Sequence, residues 1–138
     1  MAAPNPDHSR ISITAKLVAY YRQLSDIPFA QDVAQYIGAD QAFQNLTQEN
    51  ELTPDIKERA PHFEARYKSI VNLISKSDIH QVLELASGFS LRGLAMTSNP
   101  EITYIESDLP ELTAEKVGLV KRREITKSWG FEIRSIAA

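Results

Sequence analysis

Apolar residues recur at helical intervals through the first 80 positions and then give way to short continuous runs. Residues 1–10, with Pro4, Asn5, Pro6 and Asp7, read as a loose arm. Ile13, Leu17, Tyr20, Tyr21 and Leu24 predict an amphipathic helix over 12–24, broken by Asp26-Ile27-Pro28. Val33 and Ile37 lie four apart, with Gly38 placed to end a second helix. Phe43 and Leu46 mark a brief third one near 40–49. Thr53-Pro54-Asp55 is a helix start: a hydroxyl cap, proline at the first position, then an acid at the positive end of the dipole. Pro61 is expected to interrupt the helix begun there. Beyond it, Phe63, Tyr67, Ile70, Val71 and Ile74 mark one face of a helix over 61–76.

At 81 the period changes. Gln81-Val82-Leu83-Glu84-Leu85-Ala86 is almost continuously apolar, as expected of a strand buried on both faces. Ser87-Gly88-Phe89-Ser90 breaks it, and 91–97 can form a helix. Ile102-Thr103-Tyr104-Ile105 is a second strand, ended by Glu106-Ser107-Asp108-Leu109-Pro110. Leu112, Lys116, Val117, Val120 and Glu124 lie on a helix over 111–127, and Gly130 precedes a third β-like run over 131–136. No internal repeat or low-complexity segment interrupts this order. The predicted class is therefore α/β: a helical cap and lead-in helix over 1–80, then over 81–138 the first half of a parallel, right-handed, Rossmann-like sheet.

Composition narrows the function. The 138 residues carry 15 Lys+Arg against 18 Asp+Glu, a net charge of −3, which argues against a nucleic-acid partner. With no Cys there is no disulfide framework, thiolate metal site or Cys nucleophile. No apolar run approaches the roughly 20 residues that span a bilayer. The N-terminus lacks the basic start and apolar stretch of a signal peptide, so no membrane partner and a cytoplasmic location are expected.

Ligands of open α/β sheets bind beyond the carboxyl ends of the strands, and two features fall there. One is the loop Glu84-Leu85-Ala86-Ser87-Gly88-Phe89-Ser90, where Gly88 lets backbone pass close to a ligand and Ala86 and Ser87 are small. The other is the acidic pair Glu106 and Asp108, placed where nucleotide-binding sheets grip ribose hydroxyls. The dinucleotide pattern G-x-G-x-x-G is not met, because Ala86 and Leu91 stand at its first and third glycines. In the shifted register from Gly88 to Gly93, Ser90 takes the middle position. Those glycines serve a pyrophosphate seated on a helix N-terminus. A cofactor with a ribose but no phosphate needs less of them, and S-adenosylmethionine is one.

The run from Val82 through Gly88 to Arg92-Gly93, followed by Tyr104-Ile105-Glu106-Ser107-Asp108-Leu109-Pro110, resembles the class I S-adenosylmethionine-dependent methyltransferases. It is most similar to the branch of leucine carboxyl methyltransferases and polyketide-type O-methyltransferases. That branch has a small-small-Gly loop followed by an Arg, a Glu-x-Asp-x-Pro segment after strand two, and an Arg in its helical extension, which Ala65-Arg66-Tyr67 resembles. The resemblance covers about 62–120 and fades over 1–55. It implies that Ala86, Ser87 and Gly88 border the methionine part of the cofactor and that Asp108, or less readily Glu106, accepts from the ribose. It further implies that Arg66 pairs with the cofactor carboxylate, and that Glu84 binds its amine or orders the loop from below.

Plainer roles stand beside these. Gly88 can be a turn glycine, Asp108 a helix cap, Glu106 a solvated acid, and Arg66 half of a surface ion pair with its neighbours Glu64 and Lys68. Arg92 either packs its stem or binds ligand. His8, His62 and His80 have no metal spacing. Tyr20, Tyr21 and Tyr36 read as core, Lys121-Arg122-Arg123 as a solvated helix end, and Ser90 misses the nucleophile-elbow spacing.

The expected function is an O-methyltransferase acting on a carboxylate or hydroxyl, represented by an N-terminal, truncated part that would be inactive alone, because the acceptor pocket belongs to later strands. Strand one would then be an exposed apolar edge. The alternative is a non-enzymatic short form that completes its sheet with a second copy or another chain. A nicotinamide-dinucleotide-binding fragment is the third reading.

Overall fold

The computed structural model describes residues 9–49, 56–122, 125 and 129–136. Thr53-Pro54-Asp55, His8, Arg123, Glu124 and most of the N-terminal arm lie outside the described residues. Four helices come first: α1 (Ser9–Arg22), α2 (Ala30–Ile37), α3 (Ala39–Glu49) and α4 (Ile56–Lys76). β1 (Gln81–Leu85), α5 (Arg92–Met96), β2 (Thr103–Asp108), α6 (Pro110–Arg122) and β3 (Phe131–Ser135) come after them. The fold is α/β, with six helices and one three-stranded parallel sheet among the described residues, consistent with part of a Rossmann-like fold.

Gly38 ends α2 as its position implied, with φ +66° and its N–H donating to the Ala34 carbonyl. Pro61 does not interrupt α4, which runs through it. The missing proline N–H removes only one bond, near the start of the helix, while Tyr67, Val71 and Ile74 pack further along. Ile70 and Leu24, assigned to buried faces by spacing, are exposed.

The strand order is β1-β2-β3, with Val82 opposite Tyr104 and Tyr104 opposite Phe131. That register puts Val82, Glu84, Tyr104, Glu106, Phe131 and Ile133 on one face, where α5 and α6 cover them. Gly93 of α5 comes so close to Tyr104 that a Cβ would meet its ring at 2.5 Å. On the other face Leu83 and Leu85 are 62% and 65% exposed. β1 is thus covered on one face only, not on both. One cluster of buried side chains joins Ala19, Val33 and Ile37 to Phe89, Leu94, Leu119 and Phe131, so the helical cap and the sheet share a core.

β2 also runs three residues further than its apolar stretch predicted. Glu106, Ser107 and Asp108 belong to the strand rather than to a loop after it. As the central strand, β2 is paired on both sides, and its polar end is buried with partners supplied by α5, α6 and the loop after β1.

Candidate functional site

The loop after β1 turns sharply. Ala86 and Gly88 both have left-handed backbone, φ +53° and +55°, and a Cβ on Gly88 would meet nothing within 4 Å. A non-glycine residue in that region is strained, and such strain concentrates at ligand sites. The loop is tied to β2 at each step. Ser87 N–H donates to the Ser107 carbonyl at 3.0 Å, and Gly88 N–H donates to Asp108 Oδ2 at 2.7 Å. Asp108 Oδ1 accepts from Leu109 N–H at 2.7 Å, so this carboxylate organises both loops rather than capping α6.

Beneath the loop lie two ion pairs, one part-buried and one fully buried. Glu84 pairs with Arg92 and accepts from the Tyr104 hydroxyl at 2.7 Å. The Arg92 guanidinium sits 4.7 Å from the Tyr67 ring centroid, a cation–π contact. Glu106 is 0% exposed; its Oε2 lies 2.6 Å from Lys116 Nζ and its Oε1 accepts from Gly93 N–H at 2.7 Å. It is therefore not solvated. Burial pushes the Glu106 carboxyl above its usual range and Lys116 below its own, although each charge favours the other.

Above the loop is a cavity of about 290 Å³ whose walls include Arg66, Ala86, Ser87, Gly88 and Asp108. Five of the seven sequence-predicted site residues are brought together there. The other two, Glu84 and Glu106, are turned away into the ion pairs below. Glu84 joins β1 to α5 and β2 through Arg92 and Tyr104. Arg92 is buried and paired, and Arg66 is exposed at the cavity mouth, while Lys68 takes both Glu64 and Asp26 as partners. Apolar walls come from Val18, Phe63, Phe89 and Leu112.

No protein-family model matches the chain, and no curated protein matches it. Geometry and chemistry alone define the site.

Two residues of the site had no role in the sequence reading. Arg22, at the end of α1, lines the cavity; its Nε is buried without a hydrogen-bond partner and its guanidinium is 5.8 Å from the Tyr67 ring centroid. Burial lowers its pKa, and the like charge of Arg92 adds to that. Lys116 donates to Ser87 Oγ at 2.8 Å. Its signal was visible: a lysine between Leu112 and Val120 on the inner stripe of α6 calls for a buried anion. Arg22 carried no such mark, since arginine at a helix C-terminus is common on a solvated end.

A larger depression of about 810 Å³ opens toward the amino ends of the strands, against Ile74, Met96 and Ile102, and contains none of the predicted residues. Among the described residues no group of three or more His, Asp or Glu is arranged to hold a metal, and no helix is long and apolar enough to cross a membrane.

Proposed function

We propose that the chain carries the cofactor half of an S-adenosylmethionine-dependent O-methyltransferase acting on a carboxylate or hydroxyl. The observation that carries this reading is the cavity at the carboxyl ends of β1 and β2, which gathers Arg66, Ala86, Ser87, Gly88 and Asp108. The two guanidinium groups suit the carboxylate of a zwitterionic amino-acid tail, and the one carboxylate suits neutral hydroxyls. Arg66 and Arg22 hold the tail, and Asp108 retains lone pairs for the ribose. The open space over Gly88 leaves room for close approach. The donor itself supplies an activated methyl group, so the residues act by position and charge rather than by covalent steps.

A dinucleotide fits less well. The pyrophosphate of such a cofactor sits on the N-terminus of the helix after strand one. In α5 the first two N–H groups are already taken, Arg92 N–H by Ser90 Oγ at 3.2 Å and Gly93 N–H by the Glu106 carboxylate.

Titration calorimetry tests the reading. Wild type should bind S-adenosylmethionine, Arg66→Ala and Asp108→Ala should each weaken binding about tenfold or more, and NAD should give no heat. Absence of heat with S-adenosylmethionine, or indifference to Asp108→Ala, would sink it. We further infer that the acceptor side comes from additional strands, so the 138-residue chain should transfer no methyl group. A second reading, a module that completes its sheet with another copy, is favoured by the bare Leu83 and Leu85 on edge strand β1.

A further inference from the structure

Lys116 is 1% exposed and offers only hydrogen-bond donors. Its Nζ lies between Glu106 Oε2, at 2.6 Å, and Ser87 Oγ, at 2.8 Å. The serine oxygen must therefore act as acceptor, and its single proton is left to point elsewhere. Among the described residues no group accepts that proton. Ser87 lines the 290 Å³ cavity together with Arg22 and Arg66. Apolar residues at both 106 and 116 would have continued the stripe between Leu112 and Val120 with no buried charge to satisfy. The buried pair thus does nothing for packing that two apolar residues would not do as well.

We propose that Lys116 is a positioning residue: anchored on Glu106, it holds Ser87 and the loop, and turns the serine hydroxyl into the cavity as a donor to the carboxylate end of the ligand. This rests on the reading of the cavity as a methyl-donor site. A hydroxyl that accepts from a cation becomes a better donor, and a donor aimed at a carboxylate forms the stronger, charge-assisted kind of bond. Arg22 and Arg66 supply the charge that attracts the tail, and Ser87 supplies a short, directed contact. Asp108, an acceptor, serves the hydroxyl end.

The experiment compares two probes by calorimetry: S-adenosylmethionine, and 5′-methylthioadenosine, a neutral thioether that lacks both the amino-acid tail and the sulfonium charge. The variants are Ser87→Ala, and Lys116→Met with Glu106→Gln, which removes both charges and leaves no orphaned carboxylate. Each should weaken S-adenosylmethionine about tenfold while 5′-methylthioadenosine changes by less than about twofold, the difference expected from one lost bond to a charged group. Combining all three substitutions should cost no more than either set alone, because both act through the same hydroxyl. Equal losses for the two probes, or undiminished binding of S-adenosylmethionine, would overturn the proposal. Amide hydrogen exchange on the ligand-free protein gives an independent reading. Ser87 and Gly88 should exchange faster in the Lys116→Met, Glu106→Gln protein, with Leu119 unchanged. If wild type binds neither probe, the methyl-donor reading falls, and unaltered exchange at Ser87 and Gly88 would then remove the positioning role as well.

Discussion

Asp108 spends one carboxylate oxygen on the Gly88 N–H and the other on the Leu109 N–H, both at 2.7 Å. Bonds from a backbone donor to a charged acceptor contribute more than neutral ones, so Asp108→Ala should lower stability by about 2–3 kcal/mol in urea denaturation. Asp108→Asn, whose amide oxygen replaces one acceptor, should lose less. Equal losses for the two would show that the loop does not depend on the second bond. Two residues before Gly88, Ala86 is held at φ +53°. Ala86→Gly relieves that strain and gains backbone freedom when unfolded; the first effect should win, raising stability by up to about 1 kcal/mol. The sequence marked both positions, because a small-residue turn after a strand and an acid at the end of the next strand are local patterns. It did not separate Asp108 from Glu106. Both are acids on the same strand, and only tertiary contacts send one to the cavity and the other to the N-terminus of α5.

The pairing of α6 with β2 shows where pattern along single elements stops being informative. Helical spacing placed Lys116 on the inner face of α6, yet apolar continuity ended β2 at Ile105, so the partner was not in view. A central strand can include Glu106, Ser107 and Asp108 against their propensity because its backbone is paired on both sides and each side chain finds a partner. α4 shows the same override: spacing found the Tyr67–Val71–Ile74 face, while the proline rule wrongly ended the helix. Removing one charge of the buried pair is costly, so Lys116→Met should lose about 3–5 kcal/mol, and adding Glu106→Gln should recover most of it. The loss depends on pH. Burial already raises the folded pKa of Glu106, and without Lys116 it rises further. The folded protein then holds a proton that the unfolded chain has released, so the variant's stability is greatest below the unfolded carboxyl pKa and declines as pH rises through the folded one. Urea melts at pH 5 and pH 7 should show Lys116→Met closer to wild type at the lower pH; a gap independent of pH would place the cost elsewhere.

At the scale of the molecule, the sheet is finished on one side and open on the other. The helical cap, α5 and α6 share one core on the face of Tyr104 and Glu106, while Leu83 and Leu85 stand bare on the opposite face of edge strand β1. Apolar density could not reveal this, since a strand covered on both faces and one covered on a single face read alike when its exposed positions are leucine. An edge strand with free backbone groups and bare leucines is a template for another strand. The 15.5 kDa chain should therefore self-associate, with a weight-average mass by light scattering that rises with concentration. Lysine is the residue that native edges use against such pairing. Leu83→Lys with Leu85→Lys should hold the mass at the monomer value while changing stability by less than about 1 kcal/mol, because both side chains are already mostly in water. The cavity lies on the other side of the loop and does not include either leucine. Binding of S-adenosylmethionine should therefore survive in the double-lysine protein, which separates completion of the sheet from recognition of the ligand. Loss of binding together with loss of association would mean instead that the cavity forms only in the assembled state, and a wild type that stays at 15.5 kDa at every concentration would remove self-completion of the sheet altogether.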